Sequence, residues 1–149
     1  LRMILNHSRN ETVLLQDELE ALQLYMEIES LRFENGFSYK MNVHENIDLF
    51  DVRIPPLLLQ PYVENAIKHN VVSHTKPLEI KIKANGTAVL EVSNNLQPKM
   101  NREPSSNIGL NNINQRYELI TGRKIEVEQD EQQFKVRIPL IELNDRSKQ

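Results

Sequence analysis

Two pairs of short, alternating segments constrain the fold of this chain most. They are residues 78–82 and 88–92 in the first pair, and residues 124–127 and 134–138 in the second. Within each segment apolar residues recur at every second position, which is typical of a strand with one buried face. Asn85-Gly86 separates the first pair and is a strong hairpin-turn signal, and a polar turn around Asp130 separates the second. Such hairpins need a second layer of structure to cover their apolar face.

Helices are expected to supply that second layer. Residues 14–33 contain good helix formers and no Gly or Pro, and Asn35-Gly36 follows as a stop signal. A further helix is predicted over residues 110–120, closed by a glycine at position 122. Residues 37–43 alternate like the other strands. The pattern as a whole predicts a two-layer α/β sandwich, in which helices cover one face of a mixed, mostly antiparallel sheet.

A helix between these two is expected to begin at Pro56 and to continue to about Asn70. Proline is tolerated in the first turn of a helix, where its missing N–H group is not needed. Pro61 lies one turn later and cannot donate to the carbonyl of Leu57, so the sequence predicts a bend there.

The first helix carries two apolar stripes on opposite sides. One stripe consists of Leu15, Leu19, Leu22, Met26 and Phe33, and the other of Leu24, Ile28 and Leu31. Between them lie Glu18, Glu20, Glu27 and Glu29. Two interpretations are open: a helix buried in a large core, or a helix that packs on its own domain on one side and on something else on the other. The flanking glutamates argue against full burial.

Bulk composition excludes several classes of protein. The chain of 149 residues has a net charge of −3 and no cysteine, and no apolar run in it is long enough to span a membrane. The charge gives no indication of a nucleic-acid partner. A disulfide scaffold and a cysteine-ligated zinc site are both excluded. The opening Leu1-Arg2-Met3-Ile4-Leu5 begins in mid-pattern, which is typical of a piece of a longer protein.

The predicted middle helix presents two faces with different chemistry. Leu59, Val63, Ala66 and Asn70 follow the helical rhythm and are expected to face the sheet. On another face lie Asn65, Lys68 and His69. An amide oxygen can hold Mg²⁺, and a lysine one turn away can meet phosphate oxygens. The alternative is an ordinary amphipathic helix with a Glu64–Lys68 ion pair.

Three segments of the sequence resemble motifs of one protein family. Pro-Pro-Leu-Leu-Leu-Gln-Pro-Tyr-Val-Glu-Asn-Ala-Ile-Lys-His, residues 55–69, resembles the N-box of LytS-like sensor histidine kinases. The upstream helix is similar to the segment that joins their dimerisation helices to the catalytic domain. Asn107-Ile-Gly-Leu-Asn-Asn-Ile-Asn-Gln-Arg-Tyr117 is similar to the Gly-rich box that ends their ATP lid. The resemblance covers residues 1 to about 140. It implies a Bergerat ATPase fold, with a dimerisation end and connecting helix at 1–33, an ATP-binding catalytic domain at 34–142 and a tail at 143–149.

The resemblance also implies which residues bind ligands. It makes Asn65 the Mg²⁺ ligand and places Lys68 and His69 near the phosphates of ATP. Gly109 and the amides that follow it are expected to approach the phosphates, because a helix N-terminus favours anions. Leu110 is expected to pack near the nucleotide.

Three positions depart from patterns of the wider fold. Asn94 stands where the family's adenine-reading Asp-x-Gly-x-Gly motif has its aspartate, and a neutral amide is a weaker acceptor than a carboxylate. Asn107 replaces the first glycine of the lid box, and asparagine tolerates a positive φ better than other non-glycine residues. Pro61 occupies the position of the water-activating glutamate in hydrolytic relatives, which indicates phosphate transfer to a protein.

No catalytic residue is assigned, because the family's phosphoacceptor histidine box is absent from this chain. His7 matches only the end of the dimerisation segment, and His44 and His74 are interpreted as surface residues. The resemblance implies autophosphorylation on an upstream helix, a homodimer in the full-length protein, a response regulator as acceptor, and a cytoplasmic domain of an inner-membrane-anchored bacterial protein. Two alternatives are a degenerate module that binds ATP weakly and acts as a scaffold, and an anti-sigma-like serine kinase. The upstream dimerisation tail argues against the second.

Overall fold

A five-stranded sheet and three helices form the two layers of the protein. The computed structural model describes residues 11–100 and 108–142. The helices are α1 (Leu15–Phe33), α2 (Gln60–His69) and α3 (Ile108–Thr121), and a 3-10 turn covers Glu34–Gly36. The strands are β1 (Val13–Leu14), β2 (Phe37–Val43), β3 (Val52–Ile54), β4 (Leu78–Ala84), β5 (Val89–Asn95), β6 (Glu126–Gln129), β7 (Gln133–Pro139) and β8 (Ile141–Glu142).

The main sheet is mixed and mostly antiparallel, as predicted. Its strands lie in the order β2-β4-β5-β7-β6; β2 and β4 are parallel, and the other neighbours are antiparallel. Leu78, Ile80 and Ile82 point into the core, whereas Lys81 and Lys83, each of which follows one of these isoleucines, are exposed. The helices cover the apolar face, so the predicted two-layer α/β sandwich is confirmed.

The turn between β4 and β5 differs in detail from the Asn-Gly expectation. Ala88, and not Gly86, adopts the left-handed conformation, with φ of 60°. The Asn85 side chain accepts hydrogen bonds from the backbone and hydroxyl of Thr87, and the Ala88 N–H group donates to the Asn85 carbonyl. The hairpin is therefore closed by a four-residue loop in which the asparagine side chain fixes the turn.

A second, small sheet was not predicted. It has the order β1-β3-β8, and both pairings are antiparallel. Its strands have only two or three residues, which is too short for a period-two pattern to appear. Arg53 on β3 donates to the hydroxyl and the carbonyl of Thr12, which fixes the entry to α1.

Helix α1 divides into a buried and an exposed side, as its two stripes predicted. Leu15, Leu19, Leu22 and Met26 are buried in the same core as the sheet. The opposite stripe is open: Leu24 and Ile28 are each 63% exposed and Leu31 is 81% exposed. The helix is therefore not fully buried, as the flanking glutamates indicated, but two of those four glutamates are themselves buried. Glu18 and Glu29 are buried, whereas Glu20 and Glu27 are exposed.

Helix α2 begins later than predicted. Its first residue is Gln60, so Pro61 lies in the first turn, where a missing N–H group costs nothing and the predicted bend is not needed. Residue Leu57 has a φ of 57° and ends the preceding turn in a left-handed conformation. The predicted inner face is confirmed, because Leu59, Val63 and Ala66 are buried with Asn70.

Helix α3 ends at Thr121, one residue beyond the predicted range of 110–120, and begins two residues before it. Gly122 has a φ of 73°, and its N–H group donates to the Glu118 carbonyl over 2.8 Å, the arrangement that a glycine cap allows. The expectations for His7, Asn107 and the tail at 143–149 lie outside the described residues. None of the helices within the described ranges is long and apolar enough to cross a membrane.

Candidate functional site

A cavity of about 250 Å³ lies between α2, the beginning of α3 and the inner face of the sheet. The described residues around it include five asparagines and no Asp, Glu, Lys or Arg. The asparagines are Asn65, Asn70, Asn94, Asn111 and Asn114, and the apolar side chains include Leu96, Leu110, Val127 and Phe134. Such a lining combines flat apolar contact with amide donors and acceptors, the composition of a ligand pocket.

Asn65 and His69 both face this cavity from α2, as their spacing of four residues predicted. The Asn65 side chain is half-buried, and within the described ranges it makes no hydrogen bond. Its carbonyl oxygen is therefore available to a ligand in the cavity.

Asn70 has a different role at the end of α2. Its Nδ2 donates to the Ala66 carbonyl over 2.9 Å, and its Oδ1 accepts from the Gln97 N–H group over 2.8 Å. The backbone continues the attachment, since Val71 donates to the Gln97 carbonyl and Lys99 donates to the His69 carbonyl. Asn70 thus fastens the chain that leaves β5 to the end of α2 and closes one end of the cavity.

Asn94 enters the cavity from β5. It lies on the inner face of the sheet, only 7% exposed, opposite Ile80 of β4 and Phe134 of β7. Its Nδ2 donates to the Asn95 carbonyl over 2.9 Å. The side-chain oxygen makes no hydrogen bond within the described residues and lies at the cavity.

The beginning of α3 forms the remaining wall. Leu110, Asn111 and Asn114 line the cavity, and the first-turn N–H groups of α3 give that end of the helix a partial positive charge. Gly109 does not line the cavity itself; among the described residues, nothing lies within 4 Å of the place where a Cβ would be. That open space permits a ligand to approach the backbone closely.

Two lining residues that the sequence reasoning missed are connected across the cavity. The Tyr62 hydroxyl donates to Oδ1 of Asn114 over 2.7 Å and so joins α2 to α3. Burial raises the pKa of Tyr62, which keeps the hydroxyl a neutral donor. The spacing of four residues between Leu110 and Asn114 was the available signal, because it places Asn114 on the face of α3 already assigned to the nucleotide.

The sequence of this chain is similar to those of known sensor kinases. No protein-family model matches the chain. It is 39% identical over 83 residues to the sensor protein LytS of Staphylococcus epidermidis, a match that covers 54% of this chain and 13% of LytS. It is 32% identical over 123 residues to the sensor histidine kinase YesM of Bacillus subtilis, a match that covers 78% of this chain and 21% of YesM.

The chain belongs to the LytS-like sensor histidine kinase family. It spans about a fifth or less of the length of these relatives. Its fold is that of histidine kinase catalytic domains: the nucleotide-free catalytic domain of the kinase ThkA superposes with a TM-score of 0.61 at 17% identity, covering 86% of this chain and 95% of that one. A crystal structure of ThkA in complex with the response regulator TrrA superposes with a TM-score of 0.55 at 20% identity, covering 91% of this chain and 42% of that one.

Lys68, which the family resemblance placed near the phosphates, lines a different cavity. That cavity measures about 540 Å³ and lies between α1 and the outer side of α2, and Glu29, Arg32 and Lys99 also line it. The family resemblance placed three residues of this helix at the metal or the phosphates. Asn65 and His69 lie at the first cavity, whereas Lys68 lies at the outer one. At about 100° per residue, position 68 lies about 60° from position 65 and about 100° from position 69, at the edge of their shared face, and α1 packs beside that edge.

The outer cavity is a cluster of charges on an apolar floor. Glu29 lies 2.8 Å from Arg32 in an ion pair whose angles are not those of a hydrogen bond. Burial, followed by the charges of Glu29 and Glu64, raises the pKa of Tyr25 to about 12. The Glu64–Lys68 ion pair of the alternative interpretation does not form in this part of the chain; Glu64 accepts from Gln60 over 2.8 Å instead.

Proposed function

We propose that this chain is the ATP-binding catalytic domain of a two-component sensor histidine kinase. It binds Mg-ATP in the cavity between α2, α3 and the sheet, and it presents the γ-phosphate to a histidine on an upstream dimerisation helix. The observation that carries the proposal is the position of Asn65, whose amide faces the cavity without a hydrogen bond to the described residues.

The residues of the cavity suit the parts of a nucleotide. Leu96, Leu110 and Phe134 offer apolar contact to a flat base, and the Oδ1 of Asn94 can accept from its exocyclic amine. The N-terminus of α3 favours anionic phosphates, and Gly109 leaves its backbone open to them.

The donor set suits magnesium that arrives with the nucleotide. Within the described ranges, no three His, Cys, Asp or Glu side chains are grouped so that they could hold a metal ion. Magnesium in phosphoryl-transfer sites keeps several waters and is bound by few protein groups together with phosphate oxygens. The Asn65 oxygen is the protein ligand that we assign to it, and the ion would neutralise charge on the phosphates.

Phosphate transfer needs mainly positioning and charge neutralisation from this domain. Asn65 and His69 orient the phosphate end, and Lys68 reaches that end only if its flexible side chain turns away from the outer cavity. Pro61 leaves α2 without the carboxylate that activates water in hydrolytic relatives, which favours a protein acceptor. The acceptor histidine belongs to an upstream segment, so the chain alone is not competent for autophosphorylation.

The wider setting follows from the family. The ThkA complex with TrrA supports a response regulator as the next phosphate acceptor. A homodimer formed through the upstream dimerisation segment, and a cytoplasmic position in an inner-membrane-anchored bacterial protein, complete the proposal.

Replacing Asn65 with alanine tests the function directly. We expect calorimetric titration of the wild-type chain to show Mg-dependent ATP binding, and Asn65→Ala to weaken that binding at least about 100-fold by removing the metal ligand. The unfolding free energy without nucleotide should change by less than about 0.5 kcal/mol, because no hydrogen bond is lost within the described residues. Asn42→Ala, on the exposed face of β2, is the matched control and should bind normally.

A degenerate scaffold is the second candidate. It is favoured by one contact, the hydrogen bond that Asn94 already makes to the Asn95 carbonyl in place of an adenine-reading carboxylate. No binding of Mg-ATP at millimolar concentration by the wild-type chain would exclude the kinase proposal and leave this one.

A further inference from the structure

Glu18 makes the most unusual contact of α1. It is 7% exposed, and its carboxylate meets three consecutive backbone N–H groups from a distant part of the chain. Oε1 accepts from Leu57 over 3.1 Å, and Oε2 accepts from Leu58 over 3.0 Å and from Leu59 over 3.2 Å. A buried carboxylate is stable in such a position because charge-assisted hydrogen bonds replace its hydration.

The turn that Glu18 holds leads directly into α2. Pro55 and Pro56 have no N–H groups, so the first donors available before α2 are those of Leu57 and its two successors. Leu57 has a φ of 57°, which costs energy for a branched side chain and persists only where surrounding contacts impose it. The carboxylate supplies such a contact, and its negative charge lies at the positive end of α2.

The same turn is held from the other side by α3. Nη2 of Arg116 donates to the Pro56 carbonyl over 2.8 Å. The turn at 55–59 is therefore in contact with all three helices: it connects to α2, and it receives Glu18 from α1 and Arg116 from α3. Asn65 lies in the second turn of α2, and Asn114 lies about half a turn before Arg116 on α3. The turn at 55–59 therefore contacts both of the helices that form walls of the cavity.

We propose that Glu18 is a positioning residue for the nucleotide site. Its carboxylate fixes the strained turn before α2 and thereby sets the position from which Asn65 faces the cavity. Since Glu18 belongs to α1, the helix that leads towards the upstream segment, a rotation or slide of α1 alters the nucleotide site through this contact. The proposal rests on the proposed function of the cavity and adds a route by which its nucleotide affinity is regulated.

The test uses Glu18→Gln, which keeps the shape of the side chain but replaces one acceptor oxygen with an NH₂ donor facing the N–H groups of the turn. We expect the Kd for Mg-ATP to rise roughly tenfold, in the range usual for coupled sites. We also expect the Asn65 side-chain amide signals to move in ¹⁵N-resolved NMR spectra recorded without nucleotide. Arg116→Gln should move both quantities in the same direction by a smaller amount, and it serves if Glu18→Gln does not fold.

Two controls separate positioning from stability. Ile82→Val removes a buried methyl group from β4 and leaves the hydrogen bonds of the turn intact, so it should lower the Tm while leaving the Kd and the Asn65 signals unchanged. Glu20→Gln removes the same charge at an exposed position and should change none of the three quantities.

The outcomes distinguish this proposal from the function on which it rests. A lower Tm with an unchanged Kd and unmoved Asn65 signals in Glu18→Gln would overturn the positioning role and leave a structural contact. If the wild-type chain binds no Mg-ATP, the proposed function fails, and the nucleotide-free Asn65 signals still decide whether Glu18 positions α2.

Discussion

The helical wall and the sheet wall of the cavity carry the same side chain in different states. Asn65 on α2 makes no hydrogen bond within the described ranges, whereas Asn94 on β5 already donates to the Asn95 carbonyl. Asn70 lies where the two walls join, and both its Nδ2 and its Oδ1 make hydrogen bonds within the protein. The role of an asparagine that lines the cavity therefore depends on its neighbours and not on the residue type. Its side chain can be available to a ligand, can have one of its two polar atoms bonded within the protein, or can have both bonded and be structural.

The largest effect on stability is expected at Asn70, where the two walls of the cavity join. Asn70→Ala removes two hydrogen bonds and leaves the partly buried Gln97 N–H group without its acceptor, which adds part of the desolvation cost of that group. We expect a loss of roughly 2–3 kcal/mol in the free energy of unfolding, measured by urea denaturation. Asn65→Ala deletes the same atoms five residues earlier and is the matched comparison, with almost no loss. Equal losses in the two variants would show that Asn65 is also structural.

The sheet wall provides a second test through Asn94→Asp. A carboxylate accepts a stronger, charge-assisted hydrogen bond from the adenine amine, so we expect ATP affinity to rise about tenfold. The same change removes the donor to the Asn95 carbonyl and places a negative charge 2.9 Å from it, so the free protein should become less stable. Affinity is measured by calorimetric titration and stability by thermal unfolding.

Asn95→Asp is the control for that charge. Asn95 is the next residue on β5 but points to the opposite face, where it accepts from Glu79 and donates to Pro77. It should leave ATP affinity unchanged. An unchanged affinity in Asn94→Asp as well would mean that the adenine does not lie against this strand.

The parts of the fold that depend on local pattern could be predicted. The alternation of β2 and β4 and the glycine after α3 are encoded within a few residues, and the structure has them where the sequence placed them. The beginning of α2 could not be placed, because the turn before it donates three hydrogen bonds to Glu18, which is 39 to 41 residues away in the sequence. The small sheet of β1, β3 and β8 is likewise built by pairings between distant segments.

The candidate site, like the fold, could be predicted only where it depends on local pattern. Helical spacing placed Asn65 and His69 on one face of α2, and the structure brings both to the cavity. The same spacing grouped Lys68 with them, but the packing of α1 against α2 gives that side chain a cavity of its own. Whether a residue at the edge of a helical face turns to one side or the other depends on what packs beside the helix, which periodicity does not contain.

The smallest effect is expected where the two helical walls meet, at Tyr62. Tyr62→Phe removes only the hydroxyl that donates to Asn114, and Asn114 is near enough to solvent for water to replace the partner. We expect a loss of about 0.5–1.5 kcal/mol in unfolding free energy and a modest weakening of nucleotide binding, because α3 is then less firmly held to α2. Tyr39→Phe on β2, whose hydroxyl makes no hydrogen bond in the described part of the chain, is the matched control and should be neutral. A Tyr62→Phe variant that loses stability but binds nucleotide like the wild type would show that the turn at 55–59, and not this hydrogen bond, sets the distance between the two helices.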